Sequence, residues 1–371
     1  MSETPPAEPT SRVRDGGRLK AYAAVAGVAL AIGIIGGLVG GLLVRQSPST
    51  RASLDATMCP AARVANTVLP SVVTIGVTAA SGSSNGSGVI VDRSGYILTN
   101  DHVISPGANG GTLTVLFSSG QQAEATLVGR ATALDLAVIK VSQDDSLPYV
   151  TLGDSGRLVV GQPVVTLGAP LGLASTVTSG IVSALSREIR LPADQDSTAL
   201  LTGAIQTDAS INPGNSGGAL VDCRGELIGI NTAIATVPNE SGVAGGGNVG
   251  IGFAIPVDLA VAVSDQIIKT GTFTAPFVGL LTAPISASTA EAFDVAGGLY
   301  VTSVVPGGPA DKAGLKVGDV ILSVAGRAAT TPEALFEAVL PRQVGDEVTV
   351  QIGRNGDRES ATLTLAAQPT S

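Results

Sequence analysis

The chain is predicted to be mainly β, with one apolar helix ahead of the β region and a small α+β unit behind it. Three observations predict this. Short runs of Val, Ile, Leu and Thr recur between Gly, Asn, Asp and Pro, and glycine reaches 48 of 371 residues without a collagen-like period; that is the pattern of many tight turns joining short strands. A long charge-free stretch lies near the N-terminus. An Asn355-Gly356 pair sits between two β-type runs near the C-terminus.

Composition removes several function classes. Thirty acidic residues against 21 basic ones leave a net charge of −9, which argues against nucleic acid as a partner because phosphate binding needs clustered Lys and Arg. One histidine cannot build a His-rich metal site, and two cysteines cannot build a disulfide scaffold or an all-cysteine zinc centre. No metal and no cofactor is therefore expected.

Residues 1–20 are Pro-rich and polar, and are expected to be a disordered cytoplasmic tail. Ala21 to Val44 carries no charge; as a helix it would extend about 36 Å, enough to cross a ~30 Å hydrocarbon core. A mean hydropathy of +0.40 agrees with part of the chain lying in lipid. A cleaved signal peptide is the rival reading, but its apolar region would be shorter and would end in a small-residue cleavage site. An uncleaved transmembrane helix is favoured. Arg12, Arg14, Arg18 and Lys20 before it outnumber Arg45 and Arg51 just after it, which leaves the N-terminus in the cytoplasm and the rest outside. Ala29, Gly33, Gly37 and Gly41 form a small-xxx-small stripe on this helix. Residues 45–60 read as a polar stalk.

Residues 61–270 hold strand-like runs at Ser71–Val77, Gly88–Asp92, Thr112–Phe117, Leu136–Val141, Val164–Leu167, Leu227–Thr232 and Gly250–Ile255. Their short, regular spacing predicts a barrel or sandwich. A helix is expected near the end, where Leu259, Val263, Ile267 and Ile268 recur at helical spacing after Pro256 and Asp258. Residues 274–367 form the second unit, with strands at Leu299–Val304 and Val348–Ile352, helical spacing over Pro332–Val339, and the Asn355-Gly356 hairpin.

Chemistry concentrates in Gly214-Asn215-Ser216-Gly217-Gly218. A serine among glycines can sit in an exposed turn whose N–H groups converge on an oxyanion; an ordinary glycine turn is the alternative. A serine nucleophile needs a base, and the only histidine is His102. A carboxylate must fix its tautomer. Asp135 opens the apolar run Leu136–Lys140, which would bury it, although a solvated turn residue is the other reading. Asp101 is read as an exposed polar neighbour, since adjacent side chains of an extended segment face opposite ways. An α/β-hydrolase elbow would require Ser, then acid, then His; the order His102, Asp135, Ser216 is that of chymotrypsin-like double β-barrels.

The sequence resembles the HtrA (Deg) family of trypsin-like serine proteases. Thr99-Asn100-Asp101-His102-Val103, Asp135-Leu136-Ala137-Val138 and Gly214-Asn215-Ser216-Gly217-Gly218-Ala219-Leu220 match its three catalytic motifs. Gln206-Thr207-Asp208-Ala209 and Gly250–Pro256 match two further blocks. The resemblance implies a double β-barrel protease domain followed by one PDZ domain. It makes His102, Asp135 and Ser216 catalytic, and places the oxyanion hole at the N–H groups of Gly214, Asn215 and Ser216. It makes Phe277-Val278-Gly279-Leu280 the PDZ carboxylate loop, where a peptide C-terminus would add as a strand. The small neutral Ser210, with Ile230, Asn231, Thr232 and Ala233, would line an apolar primary pocket, so cleavage after Lys or Arg is not expected. Ser186–Thr202 and Ala235–Gly247 correspond to activity-gating loops.

Outside the cytoplasm Cys59 and Cys223 can form a disulfide, although spacing alone does not prove geometry. The expected function is ATP-independent endoproteolysis of unfolded or damaged proteins by a membrane-anchored homo-oligomer, a trimer by the resemblance. The alternative is a chaperone or PDZ binding protein with little resting proteolysis.

Overall fold

The computed structural model describes residues 59–367 except 81, 143–146, 170–175, 193–197, 235–248 and 294–296. The expectations for the tail, the transmembrane helix and most of the stalk lie outside the described residues, as does the segment Ala235–Gly247. Among the described residues no helix is long and apolar enough to cross a membrane.

Helix α1 (Ala61–Val68) opens the fold and buries Val64, Ala65 and Val68 on one face. Six antiparallel strands follow: β1 (Val72–Ala79), β2 (Gly82–Ile90), β3 (Tyr96–Thr99), β4 (Thr112–Leu116), β5 (Gln122–Ala131) and β6 (Leu136–Val141), with a one-turn helix α2 (Asp101–Ile104) after β3. They close into a barrel in the order β1-β2-β3-β6-β5-β4. β1, β3 and β6 read as nearly continuous apolar runs because both of their faces are covered. Val73, Ile75 and Val77 fill the barrel, while Val72 joins Val89, Leu98, Leu136 and Val138 in a core on the outer face, as the two-residue period of a strand dictates. The first half of β2, Gly82–Gly86, has no β-branched or aromatic residue. It is a strand because β1 supplies partners across the full register, from Val72↔Val89 to Ala79↔Gly82.

A second barrel is built from β8 (Pro163–Gly168), β9 (Thr176–Pro192), β10 (Thr198–Thr207), β11 (Ala219–Val221), β12 (Glu226–Ile234) and β13 (Gly252–Pro256), with β7 (Thr151–Leu152) added in parallel to β12. The order β11-β8-β9-β10-β13-β12 is closed by the β11–β12 pairing. Val164, Val182, Ile205, Leu220, Ile228 and Ala254 fill this barrel. Val165, Leu167, Ala219, Val221, Leu227, Ile230 and Ile255 face the first barrel in one shared core, capped by α3 (Val257–Thr270) through Leu259, Ala260, Val263 and Ile267. The double β-barrel and the terminal helix are thus present as expected.

The segment Ser186–Thr202, expected to be a loop, is instead largely strand. Its described parts extend β9 and β10, paired at Ile189↔Leu201, Arg190↔Leu200 and Leu191↔Ala199. Backbone pairing in a long hairpin overrides the polar composition there.

Cys59 was expected in the stalk, yet it is part of the folded unit. It is bonded to Cys223, in the turn after β11, with a Cα–Cα distance of 5.0 Å. The bond ties the start of α1 to the second barrel across 164 residues.

The second unit contains β14 (Pro276–Phe277), β15 (Leu280–Pro284), α4 (Ala287–Phe293), β16 (Leu299–Val304), α5 (Pro309–Lys312), β17 (Val320–Val324), β18 (Arg327–Ala328), α6 (Pro332–Val339), β19 (Glu347–Arg354), β20 (Asp357–Thr364) and β21 (Ala366–Ala367). The sheet order is β15-β16-β17-β19-β20, so β15 is an edge strand. The Asn355-Gly356 turn joins β19 to β20, as the sequence predicts.

Asp319 anchors this unit. Its carboxylate is 2 % exposed and takes both Arg354 Nε and Nη2 at 2.7 Å and the Lys316 N–H at 2.7 Å. Burial pushes the Asp319 pKa up, but these bonds and the nearby cationic charge outweigh it and hold the group below the ordinary carboxylate value. Arg354→Met is expected to destabilise the unit, because it leaves the Asp319 carboxylate without its charge partner. The stabilising term is complete above the unfolded carboxylate pKa of about 3.9 and is lost as pH falls through the lowered folded value. Chemical denaturation of both proteins checks this: the gap seen at neutral pH should shrink below about pH 4.

Candidate active site

Of the three residues predicted to act together, His102 and Asp135 are in direct contact, and Ser216 reaches the same network through Thr232; among the described residues no hydrogen bond joins Ser216 to His102. His102 sits in α2, where β3 ends. Asp135 precedes β6 and has left-handed backbone, φ 53°, a conformation open to Asp and Asn. It is 4 % exposed. Asn100 Nδ2 donates to the Asp135 carbonyl at 2.9 Å and so holds that turn. The Asp135 carboxylate accepts from the His102 backbone N–H at 3.0 Å and pairs with His102 Nδ1 at 2.9 and 3.0 Å. Thr232 Oγ1 donates to the same carboxylate at 2.5 Å. These three donors leave neither oxygen of the buried carboxylate unpaired.

The His102 side chain remains 41 % exposed, which leaves one edge of the ring open to a substrate. Burial of the rest pushes its pKa down. The hydrogen bond and charge of Asp135, with a smaller contribution from Asp101, outweigh that and raise it above the ordinary imidazole value.

Asp101 corrects the sequence reading. It is 2 % exposed, not a solvated neighbour. Arg130 holds it in a two-pronged ion pair, Nε to Oδ1 at 2.5 Å and Nη2 to Oδ2 at 2.8 Å. The signal missed was Arg130 itself, placed by β5 next to the helical turn; a one-turn helix does not alternate its side chains as a strand does.

Ser216 lies on the turn before β11. Gly214 and Gly217 flank it with φ of 96° and 81°. A side chain at Gly217 would stand 2.1 Å from the Ser87 carbonyl oxygen, so only glycine fits. The Gly217 N–H donates to Asn231 O at 2.8 Å, and the Asn231 N–H donates to Gly218 O at 2.9 Å. Asn215 N–H donates to Asn212 O at 2.9 Å, which removes it from the expected oxyanion set. Among the described residues the N–H groups of Gly214 and Ser216 have no such partner. Ser216 Oγ donates to the Thr232 carbonyl at 3.1 Å.

The expected pocket is corrected in part. Ile230 is fully buried in the core between the barrels and lines no opening. Asn231 is also enclosed, its Nδ2 donating to Ala219 O at 3.0 Å. Thr232 serves the carboxylate with its hydroxyl. Ser210 is exposed, and its carbonyl accepts from Thr178 Oγ1 at 2.9 Å. For Ala233 the structure gives only its place in β12.

In the second unit, Phe277 ends β14 and Leu280 begins β15. The carbonyls of Val278 and Gly279 accept from the Ala310 and Val305 N–H groups at 3.0 and 2.8 Å, which ties this loop to α5 and β16. Leu281 on β15 and Phe336 on α6 are 66 % and 49 % exposed.

Residues 86–230 match the trypsin-like peptidase domain and residues 279–365 match the PDZ domain. The chain is 41% identical over 290 residues to a probable periplasmic serine endoprotease DegP-like of Halomonas elongata, covering 78% of this chain and 57% of that protein. It therefore spans little more than half the length of that relative. It is 40% identical over 296 residues to the serine protease Do-like HtrA of Lactococcus lactis, covering 76% of this chain and 71% of that protein. Among solved structures, the HtrA-type protease AlgW with a tripeptide superposes with a TM-score of 0.66 at 36% identity, covering 84% of this chain and 98% of that one. With identity of that order running through both units and through the barrels that carry the His–Asp pair, this chain belongs to the HtrA family of trypsin-like serine proteases.

Proposed function

We propose that this chain is an ATP-independent serine endopeptidase that acts outside the cytoplasm on unfolded or damaged proteins, with PDZ capture of peptide C-termini. The observation that carries the reading is the His102–Asp135–Thr232 network, whose last member also receives Ser216 Oγ on its carbonyl. The remaining expectations belong to the same proposal: an uncleaved helix at residues 21–44 as anchor, with the cytoplasmic tail ahead of it, and assembly as a trimer.

The chemistry follows from these positions. When a peptide carbonyl reaches Ser216, Oγ leaves the Thr232 carbonyl and turns to His102 Nε2. It attacks the carbonyl carbon, and its proton passes to Nε2. Asp135 holds Nδ1–H and stabilises the imidazolium. The oxyanion takes the N–H groups of Gly214 and Ser216. Collapse of the tetrahedral adduct breaks the C–N bond, and His102 returns the proton to the leaving amine. Water then repeats the sequence on the acyl-enzyme, with His102 again as base, and releases Ser216.

The open edge of β15 and the exposed Leu281 and Phe336 beside it support strand addition by a C-terminal peptide. Peptides with an apolar last residue suit these two exposed apolar side chains.

The resting bond from Ser216 Oγ to Thr232 O favours a second reading, a chaperone or binding protein with little basal proteolysis. One experiment separates the two. The full-length chain in detergent is incubated with a permanently unfolded protein and with a fluorophosphonate probe, with and without peptides of apolar C-terminus. Degradation and labelling together support the endopeptidase. Degradation that begins only on adding peptide supports a gated one. Neither signal in a folded sample, with any peptide, leaves the binding reading.

Thr232→Val tests the network. It keeps the carbonyl and the volume but removes one donor from a buried carboxylate. A hydrogen bond to a charged group contributes about 1.5–3 kcal/mol, so kcat should fall about 10- to 100-fold with KM nearly unchanged in a steady-state peptide assay.

A further inference from the structure

Ser87 is fully buried on β2 of the first barrel, and every polar atom it carries is engaged with the second barrel or with β3. Its hydroxyl donates to Gly214 O at 2.6 Å and accepts from the Ala169 N–H at 2.8 Å. Its backbone N–H donates to Ser216 O at 2.8 Å. Its carbonyl accepts from Thr99 Oγ1 at 2.7 Å, three residues before His102.

Three successive peptide planes of the nucleophile turn are fixed as a result. In the plane joining Gly214 to Asn215, the carbonyl is held by Ser87 Oγ and the N–H by Asn212 O. In the plane joining Asn215 to Ser216, the carbonyl accepts from the Gly218 N–H at 2.9 Å, and the Ser216 N–H is left pointing free. In the plane joining Ser216 to Gly217, the carbonyl is held by Ser87 N and the N–H by Asn231 O. Ser87 therefore grips the turn on both sides of the serine, once with its side chain and once with its backbone. Gly214 has left-handed backbone at φ 96°, which a glycine leaves easily. With its carbonyl pinned, the rotation that would swing its own N–H away from an oxyanion is restricted.

We propose that Ser87 is a positioning residue for the oxyanion hole, acting through the Gly214 carbonyl. This rests on the endopeptidase reading above. The site gains donors aimed in advance at the charge that develops in the transition state, and losing one such donor outright costs about 10²–10³ in kcat. A loosened donor costs less.

The test uses the full-length chain with Ser87→Ala, Ser87→Cys and Thr74→Val. The Thr74 hydroxyl donates to Ala169 O at 2.7 Å, so its loss removes a second buried bond between the barrels without touching Gly214. Expected for Ser87→Ala is a roughly 10- to 100-fold lower kcat, KM within about twofold, and an equal loss of affinity for a peptide boronic acid, which presents a tetrahedral oxyanion. Thr74→Val should keep kcat within about twofold, even where its melting temperature falls as far as that of Ser87→Ala. Ser87→Cys, with a weak thiol donor, should lie between wild type and Ser87→Ala. Wild-type kcat retained in folded Ser87→Ala, or in folded Ser87→Cys should Ser87→Ala not fold, overturns the proposal. So does a loss in Thr74→Val as large as that in Ser87→Ala. Wild-type protein and Ser216→Ala run beside them: absence of turnover in wild type overturns the endopeptidase reading instead.

Discussion

Ser216→Ala is expected to lose about six orders of magnitude in kcat toward an unfolded protein, and His102→Ala alone about as much. The reason is that the two act as one unit. Without Nε2 the hydroxyl keeps its proton at neutral pH and is a poor nucleophile. Without Oγ the imidazole has nothing to deprotonate but water. The double variant should be no slower than either single one. A residual rate of about 10³-fold or more over water should survive, because the Gly214 and Ser216 N–H groups and substrate binding remain. Folding should be almost unaffected, since among the described residues Ser216 Oγ bonds only to Thr232 O. The melting temperature therefore serves as the control, alongside single-turnover assays with a labelled unfolded protein. A folded Ser216→Ala protein that keeps even one-hundredth of wild-type turnover would place the nucleophile elsewhere.

The proposed catalytic residues are legible in the sequence because the chemistry needs specific residue types and the chain offers few. With one histidine there was one base, and the order His102, Asp135, Ser216 selected the double barrel over the α/β-hydrolase. The run after Asp135 was apolar on both faces because β6 lies between the interior of the first barrel, which takes Ala137, Ile139 and Val141, and the core shared with the second, which takes Leu136 and Val138. That double burial is what encloses the carboxylate.

What stayed illegible depends on partners distant in sequence. Nothing in Gly82-Ser83-Ser84-Asn85-Gly86 favours a strand; β1 imposes it. Ile230 is expected beside a substrate only through the family resemblance of its strand. Which side of the strand faces the first barrel depends on how two closed sheets are packed together, and local alternation does not record that. Thr232 was expected as lining for the same reason, and its link to Asp135 spans 97 residues. Asp101 was misread because α2 turns its side chain inward to Arg130, 29 residues on. In the oxyanion set, Asn215 failed on a bond within its own turn, to Asn212.

Asp135→Asn is expected to lower kcat about 10⁴-fold while leaving the fold in place. Asparagine tolerates the left-handed backbone at this position, and its Oδ1 can still accept from the His102 backbone N–H and from Thr232. What it cannot supply is a second acceptor and a charge. An amide N–H turned towards Nδ1 forces the proton onto Nε2, the tautomer that cannot take a proton from Ser216. The pH profile separates this from mere misfolding. In the wild type, burial lowers the His102 pKa but Asp135, with Asp101 behind it, raises it overall, so kcat/KM should fall in acid with a midpoint above the ordinary imidazole value of about 6.5. In Asp135→Asn burial persists while the main opposing interaction is gone, and the residual activity should show that midpoint at lower pH. Stability should follow the same sign. A raised folded pKa stabilises the protein fully below the unfolded value and ceases to do so as pH rises through the folded one. The stability gap between wild type and Asp135→Asn should then be wider near pH 5 than near pH 9. An acid limb that does not move would mean that Asp135 orients the imidazole without setting its charge.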